Sequence, residues 1–371
     1  MHHGAWVTRE RCPDIRPAAV SRSLLAGTAG YHQSSRLHTS TTSTRLTGPV
    51  LVTGAGGFIG GHLAAELTRR GAEVRAFLRY TSRGDPGTLA WLPAEIRRAV
   101  QTVFGDLRDI ESVQRALRGV RTVFHLGAQI AIPYSYVNPR DFFETNVLGA
   151  LNVAQAALSA GVECLVHTST SEVYGTAQTV PITETHPLEA QSPYAASKIG
   201  ADKLMDGFHR SYGLPVVTVR PFNTYGPHQS PRAIVPTVIG QALAGDRLRL
   251  GALEPRRDLT YVSDTVAGFV AAAEVPHAIG RTMQLGTGNA VSVAEIVDAV
   301  AEQLGRPLSV ELDPERLRPA ASEVQLLVSD PSVARELIGW SPAVDLRTGL
   351  AETIAWMQRH GQSRPVEAYA V

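Results

Sequence analysis

A tyrosine and a lysine four residues apart, Tyr194 and Lys198, form the most chemically informative pair in this sequence. On a helix this spacing places a phenol and an ammonium on the same face. A nearby cation favours the phenolate, so a phenol that ordinarily titrates near ~10 could act as a base closer to neutral pH. Such a pair suits removal of a proton from an alcohol during hydride transfer.

The lysine stands out because the chain has 35 lysines and arginines, of which only Lys198 and Lys203 are lysines. An ammonium is a compact point charge with three donors, and a planar guanidinium does not replace it in every geometry. We therefore predict a functional role for Lys198. Lys203 has no comparable context and is predicted to be a surface residue.

A second motif, Ser169–Gly175, adds a hydroxyl and a carboxylate, Thr170 and Glu172. It follows an apolar run, Cys164–His167, that reads as a buried strand. The hydroxyl could assist at the same alcohol. The carboxylate suits a second proton transfer at a neighbouring carbon, which simple alcohol oxidation does not need.

Short apolar runs alternate with helical stretches from residue 50 onward, which predicts an α/β fold with a doubly wound parallel (Rossmann) sheet and a smaller C-terminal α/β substrate-binding domain. The predicted strands are Val50–Thr53, Val74–Leu78, Val100–Phe104, Val123–Leu126, Cys164–His167 and Val216–Val219. The predicted helices are Gly57–Arg70, Ile110–Leu117, Pro139–Ala160 and Tyr194–Tyr212, then roughly 232–244, 263–274 and 292–304.

This pattern divides the chain into a cofactor domain over residues 49–222 and a mainly substrate-binding domain over 223–360. Segments at about 258–285 are predicted to return to the cofactor domain. Residues 1–48 are rich in Ser, Thr, Arg and His, with only Glu10 and Asp14 as acids. Their bias faintly resembles a transit peptide, but the favoured interpretation is a disordered extension or a misassigned upstream start. Residues 361–371 form a short tail.

The composition argues against several function classes. With 44% hydrophobic residues, 19% charged residues and a formal net charge of +1, the chain has no general attraction to nucleic acid or membranes. No run of 18 apolar residues suggests a membrane span. Cys12 and Cys164 indicate neither a disulfide framework nor a metal site, which predicts a cytoplasmic protein.

A glycine-rich turn, Gly54–Gly60, follows the first predicted strand and opens the first predicted helix. Gly54 would permit the tight turn, Gly57 the approach of a pyrophosphate, and Gly60 close packing of the helix. Together with the amides of Phe58 and Ile59, this turn predicts NAD or NADP binding. The alternative is a purely structural glycine turn.

The end of the second strand usually carries a carboxylate for the ribose diol of NAD, but here no acid precedes Asp85. Arg79, with Ser82 and Arg83, suits a 2′-phosphate, which tilts the prediction toward NADP unless these side chains are solvated. Further cofactor contacts are predicted after the third and fourth strands, at Asp106, Leu107, Leu126 and Ala128. Each of these also reads as an ordinary strand-end turn.

Jointly these motifs resemble the extended short-chain dehydrogenase/reductases that act on nucleotide sugars. The resemblance covers about residues 49–360 and adds Thr145-Asn146-Val147-x-Gly149, Arg220-Pro221-Phe222-Asn223-x-Tyr225-Gly226-Pro227 and Arg257-Asp258-x-x-Tyr261-Val262-x-Asp264. It implies a tightly bound cofactor that is regenerated in every turnover, and a homodimer built by pairing two helices of each subunit.

The resemblance also implies substrate-binding residues. Asn223 would hold the sugar or diphosphate, and Arg257 would hold the nucleotide diphosphate. Gln229, Arg232 and Arg318 are further candidates for the nucleotide end, or else surface residues. Asn146 is expected to tie strand to helix rather than take part in chemistry.

Glu172 decides between reactions. A C4 epimerase needs only the hydroxyl, Tyr194 and Lys198, whereas a 4,6-dehydratase must also remove a proton from C5. Ser169–Gly175 resembles dehydratases of GDP- or UDP-sugars, so a 4,6-dehydratase is the favoured function. The dTDP-glucose dehydratases carry an Asp-Glu pair where this chain has Ser171-Glu172, so Glu172 or a water would deliver the proton to the departing hydroxyl. Three alternative functions remain, in decreasing order of preference: an epimerase, a uronate decarboxylase and a non-enzymatic cofactor sensor.

Overall fold

The structure, a computed structural model, describes residue 46 and residues 48–361. The predicted extension over 1–48 and the predicted tail over 361–371 therefore lie almost wholly outside the described residues. The strands of the described part are β1 (Pro49–Thr53), β2 (Glu73–Arg79), β3 (Gln101–Gly105), β4 (Thr122–His125), β5 (Cys164–Thr168), β6 (Val216–Pro221), β7 (Asn223–Tyr225), β8 (Arg247–Leu250), β9 (Arg256–Tyr261), β10 (Thr282–Leu285), β11 (Ala290–Ser292), β12 (Ser309–Leu312) and β13 (Leu326–Leu327).

Seven of these strands form one parallel sheet in the order β10–β6–β5–β4–β1–β2–β3. The chain reverses its direction of travel across the sheet between β3 and β4, which is the doubly wound arrangement. The predicted fold class is confirmed, and all six predicted strands are present. The carboxyl ends of β1, β4, β5 and β6 meet at one edge, where ligands bind in such sheets.

The helices are close to those predicted. They are α1 (Phe58–Arg69), α2 (Ala94–Ala99), α3 (Ile110–Leu117), α4 (Ile132–Val137), α5 (Pro139–Phe143), α6 (Gly149–Ala160), α7 (Pro193–Tyr212), α8 (Ile234–Ala244), α9 (Val262–Glu274), α10 (Val293–Leu304), α11 (Ser332–Ile338) and α12 (Leu346–His360). The single helix predicted over Pro139–Ala160 is α5 and α6 joined by a π-helical turn, Glu144–Leu148. The Ser292–Glu295 capping box forms at the start of α10.

The core has a layer on each face of the main sheet. Along β1, Val50 and Val52 face a cluster shared with α1 and α9, while Leu51 faces a cluster shared with α3, α6 and α7. Because both faces are covered, the central strands are buried at nearly every position, which explains their continuous apolar runs.

The second half of the chain builds smaller sheets and also returns to the main one. Strand β10 forms one edge of the main sheet and pairs with β6. Strand β9, in contrast, belongs to a small sheet with β7, β11 and β13. The division into two domains stays a prediction. Among the described helices, none is long and apolar enough to span a bilayer.

Candidate active site

Thr170 and Glu172 lie immediately beyond the carboxyl end of β5. Thr170 is the N-cap of a short 3₁₀ helix, Ser171–Tyr174, and its hydroxyl accepts a hydrogen bond from the Glu172 N–H at 3.2 Å. A threonine is a good cap because its side-chain oxygen satisfies an otherwise free amide. The cap fixes the Thr170 hydroxyl relative to the backbone of Glu172.

Tyr194 and Lys198 lie one turn apart near the start of α7. Ser192 caps this helix by accepting a hydrogen bond from the Ala195 N–H at 3.1 Å, and Pro193 occupies the first helical position. Both functional side chains are buried. The ring of Phe142 packs edge-on against Tyr194 and fixes the orientation of the phenol.

The electrostatics differ from the sequence-based expectation. Burial raises the pKa of Tyr194, and the charges of Glu172 and Asp202 add to this rise, while hydrogen bonding with Thr170 opposes it. Burial thus opposes the effect expected from Lys198, whose influence on the phenol stays a prediction. The Lys198 ammonium donates to the Thr168 carbonyl at 2.6 Å, and burial lowers its own pKa to about 8.

A buried charged residue, Asp202, lies one turn beyond Lys198 on α7. It accepts hydrogen bonds from Ser169 Oγ at 2.8 Å and from Arg220 Nη2 at 3.0 Å, and it lies 3.1 Å from His167 Nε2. Burial would raise the pKa of this carboxyl, but the contacts with His167, Arg220 and Ser169 outweigh it and hold the pKa at about 2. Asp202 thus joins α7 to β5 and β6 beneath the site.

Four charged side chains follow one another in alternating contacts that begin at Glu172. Arg257 Nε lies 4.0 Å from Glu172 Oε1, and Arg257 Nη2 donates to Glu323 Oε1 at 3.3 Å. Arg318 Nη1 lies 3.6 Å from the same Glu323 oxygen. Two predicted substrate residues, Arg257 and Arg318, are thereby brought together with the predicted base Glu172.

The glycine-rich turn has the shape that a pyrophosphate needs. Gly54 adopts a φ of +70°, and a Cβ there would come within 2.8 Å of the Gly127 backbone. A Cβ on Gly60 would collide with the Gly54 carbonyl. The N-cap of α1, Gly57, offers no side chain, so the amides of Phe58 and Ile59 are open to an anion.

A buried hydroxyl at the end of β5 also suits a cofactor. Thr168 Oγ1 is buried and has no hydrogen-bond partner among the described residues. A polar group at this position of a doubly wound sheet suits a dinucleotide that runs across the strand ends. The residues present therefore fit a dinucleotide cofactor.

The other predicted cofactor residues differ in whether their polar groups already have partners within the protein. Arg79 ends β2, and its charge acts on Asp106 across the sheet edge. The carboxylate of Asp106 is held on both oxygens by Arg108, at 3.0 and 2.7 Å, so an adenine amine would compete with that guanidinium. Leu107 is buried, and its carbonyl accepts from Asn152 at 2.8 Å.

Leu126 and Ala128 flank Gly127 just beyond β4. The Gly127 N–H donates to Thr53 Oγ1 at 3.0 Å, which holds this loop against the glycine-rich turn. The expected structural role of Asn146 is seen: its amide bonds the backbone of Gln129 in the same loop and also Ser197 Oγ on α7, at 2.9 Å.

Of the remaining substrate candidates, Asn223 is the best placed. It begins β7, which pairs with the Arg257 strand β9, and its Oδ1 is buried without a partner among the described residues. Gln229 donates to the Thr224 carbonyl at 2.8 Å and so stays near Asn223. Arg232 is exposed, and no side-chain contact within residues 48–361 brings it to the other candidates.

Comparison with known proteins assigns the chain to a family. The family described as GDP-mannose 4,6 dehydratase matches residues 51–353. The chain belongs to this family. It is 35% identical over 321 residues to a dTDP-glucose 4,6-dehydratase of Streptomyces griseus, covering 85% of this chain and 95% of that one. It is 34% identical over 323 residues to a UDP-glucose 4-epimerase of Mycolicibacterium smegmatis, covering 84% and 99%.

Solved structures give the same assignment. DesIV, a dTDP-glucose 4,6-dehydratase from Streptomyces venezuelae crystallised with NAD and TYD bound, has a TM-score of 0.76 and 32% identity, covering 84% of this chain and 97% of that one. The UDP-glucose 4-epimerase of Thermus thermophilus in complex with NAD has a TM-score of 0.75 and 32% identity, covering 84% and 99%. The predicted family is confirmed, and its members in these comparisons are enzymes that include both dehydratases and epimerases.

Three residues of this family member were not predicted from sequence as parts of the site: Glu323, Asp202 and Arg220. Asp202 is four residues after Lys198, so the helical spacing was a usable signal. Nothing in the sequence indicated that Glu323 belongs to the site, because it is far along the chain from Glu172 and only the fold brings the two together.

Proposed function

We propose that this chain is a nucleotide-sugar 4,6-dehydratase that acts on an NDP-hexose or NDP-N-acetylhexosamine. The observation that carries the proposal is the position of Glu172, whose backbone N–H is bound by the Thr170 cap and whose carboxylate is close enough to Tyr194 for its charge to act on the phenol. Tyr194, Lys198 and the hydroxyl suffice for oxidation and reduction at C4. The additional carboxylate supplies the base that elimination across C5 and C6 requires.

In this mechanism a nicotinamide group, when bound, supplies the two-electron oxidation of C4 and the return of the hydride. Tyr194 takes the proton of the C4 hydroxyl, and Thr170 orients that hydroxyl. Glu172 then takes the C5 proton, which the C4 ketone has made acidic. The C6 hydroxyl leaves as water with a proton from Glu172 or from a solvent molecule, after which C6 takes the returning hydride and C5 takes a proton that comes from solvent.

Lys198 and Asn223 position the reactants in this proposal. The Lys198 ammonium would reach the nicotinamide ribose and stabilise negative charge on Tyr194. The free Oδ1 of Asn223 would accept a hydrogen bond from the sugar. Arg257, with Arg318, would hold the diphosphate, for which a guanidinium offers paired donors.

The cofactor in this proposal is NAD or NADP, held through repeated turnovers. Arg79 at the end of β2 supports a 2′-phosphate, and the NAD-bound relatives support NAD. Titration of the protein with each nucleotide decides the matter. If NADP is preferred through Arg79, Arg79→Ala weakens NADP binding by about tenfold or more and leaves NAD binding unchanged.

The experiment that tests the reaction is incubation with a panel of UDP-, GDP-, dTDP- and CDP-sugars, with the products followed by mass. Loss of one water supports the dehydratase. A C4 epimerase, the second candidate because a curated relative carries that name, leaves the mass unchanged. Loss of carbon dioxide from a uronate would identify a decarboxylase, and no turnover of any sugar would leave only cofactor binding.

A further inference from the structure

The side-on edge of the Arg257 guanidinium faces two carboxylates, of which Glu323 is hydrogen-bonded to it and Glu172 lies 4.0 Å away. Nε and Nη2 point in the same direction from an arginine and form the edge that chelates a carboxylate or a phosphate. Here Nε faces Glu172 at 4.0 Å, and Nη2 donates to Glu323 at 3.3 Å. The remaining nitrogen, Nη1, donates to the backbone carbonyl of Arg256 at 3.1 Å.

Glu323 is held in this place by its own segment. The short 3₁₀ helix Ala320–Ser322 precedes it, and the Ser322 hydroxyl bonds Tyr136 on α4 and the Gln191 carbonyl just before α7. On the other side, the Gln325 carbonyl accepts from the Arg256 N–H at 2.9 Å. The segment therefore crosses the site and sets Glu323 against Arg257.

The charges of this cluster balance. Arg257 and Arg318 carry two positive charges, and Glu172 and Glu323 carry two negative charges. All four side chains are at least partly shielded from solvent, with Arg257 and Glu323 11% and 16% exposed, so their interactions are weakly screened. A diphosphate brings two further negative charges, and it cannot share the Nε–Nη2 edge with both carboxylates.

We propose that Glu323 is an internal competitor for the diphosphate subsite, so that substrate binding at Arg257 displaces Glu323 and releases Glu172 from the same cation. This inference rests on the proposed function, since it takes Arg257 as the diphosphate ligand and Glu172 as the base.

The test is the affinity of nucleoside diphosphates for Glu323→Gln, measured by calorimetry with UDP, dTDP, GDP and CDP. Removing a charged competitor for Arg257 should tighten the best of these ligands by about tenfold. Glu323→Asp keeps the charge but moves it away from Arg257 by the length of one methylene group. It should therefore also tighten nucleoside diphosphate binding, but less than Glu323→Gln does. Glu315→Gln, an exposed glutamate in the same region, removes an equal charge and should change nothing.

Steady-state kinetics supply a second readout. Glu323→Gln should lower KM for the nucleotide sugar while kcat stays within about twofold, because Glu323 is absent from the subsite once substrate is bound. An unchanged or weaker nucleoside diphosphate affinity in Glu323→Gln overturns the proposal, since Glu323 would then orient Arg257 rather than compete for it. Tighter nucleoside diphosphate binding without turnover of any nucleotide sugar would support the competition and defeat the proposed reaction instead.

Discussion

At the residue scale, the phenol of Tyr194 is the proposed proton acceptor for C4 oxidation. Tyr194→Phe removes one oxygen and keeps the ring that packs against Phe142. We expect turnover to fall by about 10²–10⁴-fold while cofactor binding and folding are retained. Turnover is measured on the nucleotide sugar found in the panel. Tyr212→Phe, an exposed tyrosine at the end of the same helix, is the control and should be fully active.

Glu172 separates the dehydratase from the epimerase. Glu172→Gln keeps the shape of the side chain but removes the base, so C4 oxidation should persist as transient reduced-cofactor absorbance while elimination slows by about 10²–10⁴-fold. In solvent deuterium the parent enzyme should place a deuteron at C5 of the product. If the variant is nearly as fast as the parent and no C5 exchange occurs, Glu172 only shapes the pocket and the epimerase becomes the better proposal.

How far the sequence predicts these residues depends on their separation along the chain. Tyr194 and Lys198 are predictable because helical spacing alone brings them together, and Thr170 and Glu172 because they follow a recognisable strand. Glu323 and Arg257 come from different elements, so their meeting depends on how β9 and the segment before β13 pack. The rise in the pKa of Tyr194 was not predictable either, because it comes mainly from burial, which depends on how the whole fold packs.

At the element scale, Asp202 joins the three elements that carry the site. It lies on α7, bonds Ser169 beyond β5, and pairs with Arg220 on β6, which in turn donates to Tyr174 at 3.0 Å. Because all these groups are buried, the loss of one leaves another charge unpaired. The relative placement of Tyr194, Thr170 and Asn223 therefore depends on this carboxylate.

We expect Asp202→Asn to lower the free energy of unfolding by about 3–5 kcal/mol, because Arg220 then lacks its buried partner. Urea denaturation measures this change. Asp206→Asn, one turn later on the solvent side and paired with Arg210, should cost no more than about 1 kcal/mol. Equal effects of the two substitutions would show that Asp202 has no special structural role.

The same carboxylate predicts the acid behaviour of the protein. The pKa of Asp202 is about 2 in the fold, below its ordinary value of 3.8. Its stabilising contribution is therefore fully present above about pH 4 and is lost as the pH falls toward 2. Asp202→Asn should be less sensitive to pH than the parent across this window. Unfolding curves at a series of pH values check this, and identical pH dependence of the two proteins would contradict it.

The main sheet was predictable because its strands are buried on both faces and therefore read as continuous apolar runs. The π-helical turn between α5 and α6 was not, since the apolar pattern of Pro139–Ala160 is continuous through it. The turn contains Asn146, whose amide reaches both the loop after β4 and α7. Such turns often lie at functional sites, where the extra residue redirects a side chain.

At the scale of the whole molecule, the helices beside the site leave several large apolar side chains exposed. Val137, Phe143, Leu148 and Leu158 all lie on or next to α4, α5 and α6. Single exposed apolar residues are ordinary, but a group of them on neighbouring helices is typical of an interface. They support the homodimer that the family resemblance implies, with α6 and α7 of each subunit pairing across a two-fold axis.

This homodimer gives the last prediction. In a two-fold interface the same residue acts on both subunits, so one substitution introduces two charges. Leu148→Asp should therefore convert a dimer of the parent chain into a monomer, whereas Leu312→Asp, an equally exposed leucine on β12 away from these helices, should leave the dimer intact. Light scattering at micromolar protein concentration distinguishes the two masses. A parent chain that is monomeric under these conditions, or a Leu148→Asp variant that remains dimeric, would show that these helices do not form the interface.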